Sequence, residues 1–189
     1  MTESTIKERI NEAFRLMRRE GLFARQNYWC CRTCAGSAAS QTIEERQAKG
    51  KTIIGCCYTT QQDCEVFKDD GLDRAVKNIL RMREALAMLD RGETAPEWGT
   101  PEWYAMGRVV CNWLGQEPKE LRAEIARQTK SCGVYLGFSG VDQPDGTETD
   151  CTEVGRTVVR CLNECGVKTK WNGSSMERIY IPLLQDVVS

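Results

Sequence analysis

Apolar residues recur at helical spacing through Ile6, Ile10, Ala13, Phe14 and Met17, and Thr5 with Glu8 has the form of a capping box. The chain therefore opens with an amphipathic helix that Gly21 stops. From Leu22 to Trp29 the pattern reads as extended, with Arg25 and Asn27 on one face and Ala24 and Gln26 on the other. A polar passage rich in Ser and Ala, ending in "TIEERQAKGK", leads to a second extended run, "TIIGCCYTTQQDC". The helical period returns through Leu72, Val76, Ile79, Leu80 and Leu86 and ends near Gly92. Thr100 and Pro101 start a further helix carrying Trp103, Met106, Val110, Trp113 and Leu114, and Pro118 starts another with Leu121 and Ile125. "GVYLGFSG" is the next strand. After a turn-rich loop, Asp150 caps a helix with Val154, Val158, Cys161, Leu162 and Cys165 on one face, closed by Gly166. "VKTKW" and "RIYIPL" read as the last strands, joined through Asn172-Gly173. The expected fold class is α+β: a mostly antiparallel sheet packed by two helices, built from residues 1–67 and 131–189, with a three-helix insertion over 68–130.

Charge changes this picture by exclusion. The chain has 26 Lys and Arg against 27 Asp and Glu, and the insertion alone balances 11 basic with 11 acidic residues between Lys68 and Lys130. Such balance disfavours a nucleic-acid partner, whose binding rests on clustered cations. No run of about 18 apolar residues predicts a membrane span. The opening "MTESTIKERINEAF" lacks the apolar core of a secretory leader, so a cytoplasmic location is expected, where thiols stay reduced or bind metal.

The candidate chemistry lies in the eleven cysteines and the absence of histidine. Cys31-x-x-Cys34 has the spacing of a zinc half-site, both sulfurs reaching one ion at about 2.3 Å. With Cys30 beside it, and Cys56 and Cys57 on the second extended run, a four-thiolate zinc site is feasible if the two runs lie side by side. Adjacent cysteines on a strand face opposite ways, so one of each pair would be excluded. Two other readings stay open: burial as small apolar side chains, the expected fate of Cys111, Cys161 and Cys165, and nucleophilic or redox use of Cys31 or Cys34. The usual redox form follows a strand in a βαβ unit and begins a helix, and the pattern here predicts no parallel crossover. Without histidine, Asp63 or Glu65 would have to act as base, which weighs against an enzyme.

Arg25, Asn27, Gln61, Gln62 and Asp63 form a candidate ligand-binding surface if the two extended runs pair, suited to an anionic or amide-bearing ligand. The repeated "PEW" at Trp98 and Trp103 is a candidate interface, with Trp103 expected to pack inward and Trp98 to remain available to a protein partner.

"GLFARQNYWCCRTC", "YTTQQD", "VYLGF" and "VGRTVVRCLNECGVKTKWNGSSMERIYI" together resemble an uncharacterised bacterial family, the domain of unknown function DUF6891. The likeness runs over about residues 5–67 and 131–186 and leaves the helical insertion outside. The family's aromatic–His–Gln–Gln–Asp run stands here as Thr59-Thr60-Gln61-Gln62-Asp63, without the histidine. The resemblance implies a fold neighbourhood and a polar site but carries no activity. The function expected is thus a non-catalytic binding or regulatory protein with a structural thiol cluster, with one zinc ion as candidate cofactor, acting through protein contacts. The alternative is a thiol-dependent enzyme with Cys31 or Cys34 as nucleophile. A bacterium or a phage would both suit the composition.

Overall fold

The computed structural model describes residues 5–64 and 71–184. Its elements run α1 (Ile6–Arg19), β1 (Leu22–Arg25), α2 (Arg32–Gln47), β2 (Gly55–Tyr58), α3 (Gly71–Asp90), α4 (Pro101–Met106), α5 (Arg108–Leu114), α6 (Pro118–Ser131), β3 (Gly133–Gly140), α7 (Cys151–Glu164) and β4 (Ile179–Pro182). The chain divides into two compact units, one of Met1–Val66 with Gly133–Leu183, the other of Phe67–Cys132 with Leu184–Ser189.

The first unit is α+β, with a four-stranded sheet ordered β1-β2-β3-β4. Strands β2–β3 and β3–β4 pair antiparallel, but β1 and β2 pair parallel, in register from Leu22 opposite Gly55 to Arg25 opposite Tyr58. A parallel pair needs a crossover, and α2 supplies it, making β1-α2-β2 a βαβ unit. This corrects the expectation that no parallel crossover is present, and the polar passage between the two extended runs is a helix.

Both helices expected on the sheet are there. α1 begins with the Thr5–Glu8 capping box and buries Ile10, Ala13, Phe14 and Met17. α7 begins where the Asp150 carboxylate accepts the Thr152 N–H, and it buries Val154, Val158, Cys161 and Leu162. They pack on each other and on the sheet. The opposite face is covered by α2 through Ala35, Ala39 and Ile43, which meet Phe23, Ile53, Cys56 and Tyr58. Strand alternation explains the division: Phe23, Cys56 and Tyr58 share the α2 face, and Cys57 turns towards Cys161 of α7.

β1 ends at Arg25 rather than continuing to Trp29, because Asn27 (φ 51°) and Trp29 (φ 60°) adopt left-handed backbone that no strand accommodates. "VKTKW" likewise makes only an isolated bridge, Lys170 to Tyr180.

The second unit is helical. Ile79, Met82 and Ala85 of α3 join Val110 and Leu114 of α5, Leu121 and Ile125 of α6, and Cys132 and Leu184 in one core. The single helix expected from Pro101 to Leu114 is broken at Gly107, whose φ of 89° is open only to glycine at low cost, giving α4 and α5. No helix among the described residues is long and apolar enough to cross a membrane.

Candidate thiol site

The crossover sets where the thiols lie. In a parallel βαβ unit the turn after the first strand delivers the chain to the next helix's N-terminus. Here that turn is residues 26–31, with Cys31 as the N-cap of α2 and Cys34 in its first turn. Because the chain bends rather than staying extended, Cys30 and Cys31 do not diverge. The sulfurs of Cys30, Cys31 and Cys34 all lie within 4.8 Å of one another. Four thiolates at about 2.3 Å around one tetrahedral ion would stand a little under 4 Å apart, so the spacing fits three of the four positions after a small contraction.

Cys31 and Cys34 differ in acidity for a local reason. As a neutral thiol Cys31 caps no amide. As a thiolate it meets the Cys34 backbone N–H first, then the Cys34 and Cys30 thiols, and its pKa falls below the ordinary thiol value. Cys34 moves the other way, up to about 11, because it donates towards Cys31 and would lose that bond on ionising beside like charge. At neutral pH Cys31 therefore holds the larger thiolate fraction of the two.

Cys56 and Cys57 stand outside this cluster. Both are buried within β2, on opposite faces of the sheet, and desolvation raises Cys56 to about 11 and Cys57 well above the usual value. They are sheet core rather than ligands of the same ion, and the four-thiolate set drawn from both runs is not what the fold assembles. The parallel register explains this: Cys56 and Cys57 pair with Phe23 and Ala24, deep in β1, whereas the thiols follow the end of that strand. Cys111 and Cys161 are likewise buried, and Cys165 is half-buried. Mild alkylation at neutral pH is expected to label Cys31 well before Cys56, Cys57 and Cys161. Peptide mass spectrometry over a time course checks this, and uniform labelling would contradict it.

The second loop of the site follows β2. Thr59 N–H donates to the Arg25 carbonyl at 3.1 Å, Tyr28 N–H to the Thr59 carbonyl at 2.7 Å, and Gln61 N–H to the Trp29 carbonyl at 2.9 Å. Asn27 N–H donates to Thr59 Oγ1 at 3.1 Å. The two loops that carry Arg25, Asn27, Gln61, Gln62 and Asp63 are thus stitched together by main chain, beside the thiols. Arg25, Asn27, Gln61 and Gln62 are exposed, while Asp63 turns inward. Its Oδ2 accepts the Thr60 N–H at 3.0 Å, the Thr60 hydroxyl at 2.8 Å and Arg178 Nη2 at 2.7 Å. Asp63 is accordingly a structural anchor for the loop and not a free base.

Arg178 was not singled out in the sequence, since nothing local marks a partner 115 positions away. It also donates from Nη2 to the Tyr135 carbonyl at 2.9 Å and lies over the Tyr135 ring at 5.1 Å, while its buried Nε has no partner among the described residues. Tyr58 adds an aromatic wall at the start of α2: its hydroxyl lies 3.5 Å from where a side chain on Gly36 would begin, and burial raises its pKa.

In the helical unit, Trp103 is buried at 8% exposure and Trp98 stands out at 77%, their rings edge to face with centroids 6.4 Å apart. Tyr104, at 64% exposure, stacks edge-on against Trp103 at 5.2 Å.

A family model described as a domain of unknown function (DUF6891) matches residues 2–73 and 122–185. The chain belongs to this family. The matched segments of this DUF6891 member carry both site loops, the βαβ unit and Arg178. Residues 74–121, most of the helical unit, lie between them. No curated protein and no solved structure matches the chain.

Proposed function

We propose that this DUF6891 member is a non-catalytic metal-binding protein that holds one zinc ion through Cys30, Cys31 and Cys34. The convergence of three sulfurs carries the reading, because a disulfide needs only two. Thiolates suit a soft or borderline ion, and three protein ligands leave a fourth position open to water or to a partner's donor atom. The chain has no imidazole to offer, so the thiolates define the site. Metal analysis of reduced protein is expected to give close to one zinc per chain. Replacing Cys34 with serine should weaken zinc by more than about 100-fold, beyond the loss typical of an outer-sphere partner. Replacing Cys64 or Cys165 should leave it unchanged. Affinity should rise with pH, since each ligand sheds a proton on binding. Protein that takes up no zinc, or takes it up equally well without Cys34, would refute the proposal.

One observation favours a second reading, thiol–disulfide exchange. Cys31-x-x-Cys34 begins the helix of a βαβ unit, with the more acidic thiol first. Cys31 thiolate would attack a disulfide of a partner molecule, releasing one thiolate. Cys34 would then displace the second, leaving a Cys31–Cys34 disulfide and a substrate reduced to two thiols. Replacing Cys34 with serine should trap the mixed disulfide on Cys31, which non-reducing mass spectrometry would reveal. A variant that accumulates none speaks against exchange.

Contact with a protein partner is assigned to the helical unit, on the exposed rings of Trp98 and Tyr104. Trp98→Ser is expected to leave folding stability within about 0.5 kcal/mol of the parent while reducing capture of a partner, as read by denaturant melts and pull-down.

A further inference from the structure

At the other end of α2, away from the thiols, a cleft of about 310 Å³ opens between the start of β1 and the residues leading into β2. Its apolar floor is Leu22, Phe23 and Ile53, and its rim carries Arg18, Arg46, Lys49 and Lys51, with no carboxylate among the lining residues.

The two guanidinium groups are held in place by neutral partners. Arg18 Nη1 donates to the Ala24 carbonyl at 3.2 Å, and the Arg46 guanidinium lies over the Phe23 ring, 5.3 Å from its centroid. Lys49 and Lys51 are brought in by the turn that ends α2: Lys51 N–H returns to the Arg46 carbonyl at 3.0 Å and Gly50 N–H to the Gln47 carbonyl at 2.8 Å. This is a Schellman closure whose left-handed position is Gly50, with φ of 76°. Among the described residues none of these four cations forms an ion pair. One turn away on α1 the pattern is the usual one, with Arg15 and Arg19 both on Glu12.

Helix ends offer a competing explanation, because α1 and α2 both finish here and a helix C-terminus attracts cations. The two termini together supply only roughly one negative charge. Four cations therefore leave a surplus of about three positive charges over a small apolar floor.

We propose that this cleft binds a phosphate-bearing small molecule of nucleoside-monophosphate size. The phosphate would meet the guanidinium and ammonium groups, and the flat apolar body would lie along Ile53 and the Leu22–Phe23 edge of the cleft, beside the Arg46 guanidinium that covers the Phe23 ring. Guanidinium groups grip phosphate through paired N–H donors. The volume is at the lower end of the range for small-molecule sites, which suits one such unit and not an extended polymer.

Calorimetric titration of the full chain with adenosine monophosphate, adenosine and inorganic phosphate tests the assignment. The monophosphate is expected to bind saturably, with adenosine and phosphate each at least about tenfold weaker, and added salt should weaken it. Arg46→Gln and Lys51→Gln should each lower its affinity about tenfold, Lys51→Gln at unchanged thermal stability, while Lys119→Gln on α6 should have no effect. Absence of saturable monophosphate binding would overturn the proposal, as would equal affinity for adenosine or indifference to both cleft substitutions. Phosphate binding as tightly as the monophosphate would overturn the role of the apolar floor.

Discussion

Replacing Asp63 with alanine is expected to lower folding stability by about 3 kcal/mol and to loosen the loop carrying Gln61 and Gln62. The carboxylate side chain is 10% exposed and its partner Arg178 24%, so both charges are largely withdrawn from water. Alanine removes three acceptor contacts at once, from the Thr60 N–H, the Thr60 hydroxyl and Arg178. It also leaves a guanidinium whose Nε already lacks a partner. Desolvated charge without its counterpart is what makes such a deletion costly, more than the worth of the bond itself. Asp63→Asn keeps acceptor geometry for Thr60 but not the charge, so it should lose roughly half as much. Arg178→Met combined with Asp63→Ala should be less damaging than the sum of the single changes. Urea melts of the parent, the three single variants and the double variant measure this. A loss under about 1 kcal/mol for Asp63→Ala would mean that the pair is effectively solvated.

Gly140→Ala should be more damaging still, at about 3 kcal/mol or more. The strand β3 ends where the Thr149 carbonyl lies directly over Gly140, and an added methyl would collide with that backbone oxygen. A flexible side chain could swing aside; a carbonyl fixed between Val141 and the start of α7 cannot. The Gly140 N–H also donates to Cys151 Sγ at 3.2 Å, tying the same corner together. Relief would require moving α7 relative to β2 and β3, with Val154 already against Gly55. Thermal melts should show a large drop, whereas Gly146→Ala, with open space around it, should cost only the strain of its φ of 83°. Equal effects at the two glycines would contradict the packing described for this corner.

What the sequence disclosed depended on how strongly each element announces itself. α1 and α7 were legible because a side-chain cap precedes a stripe of large apolar residues. α2 was not, since its buried positions are Ala35, Ala39 and Ile43 and its remainder, apart from Cys34 and Ala38, is Ser, Thr, Gly, Gln and charge. Small residues bury little area, so the stripe is faint, and only their spacing of four betrays it. Missing α2 hid the parallel pairing, because without a helix between β1 and β2 no crossover could be expected. The same omission misplaced the cysteines. Read as strand, Cys30 and Cys31 would face opposite ways; read as the entry to a helix, they stand with Cys34. Local spacing made that trio visible, but Cys56 and Cys57 belong to a register that only the fold reveals. The clasp between Asp63 and Arg178, and the cationic cleft, join segments distant in sequence and left no local trace.

The pairing of β2 with β3 has a consequence for how the chain tolerates change. The two strands are neighbours although a detour of about 70 residues lies between them. A slack loop grows costlier to close only logarithmically, by about 0.6 kcal/mol for each doubling of its length. The helices between the two strands gather around a core of their own, so most of that length is ordered independently of the sheet. Changing the length of the segment between the family-matched stretches, residues 74–121, is therefore expected to cost the sheet pairing little.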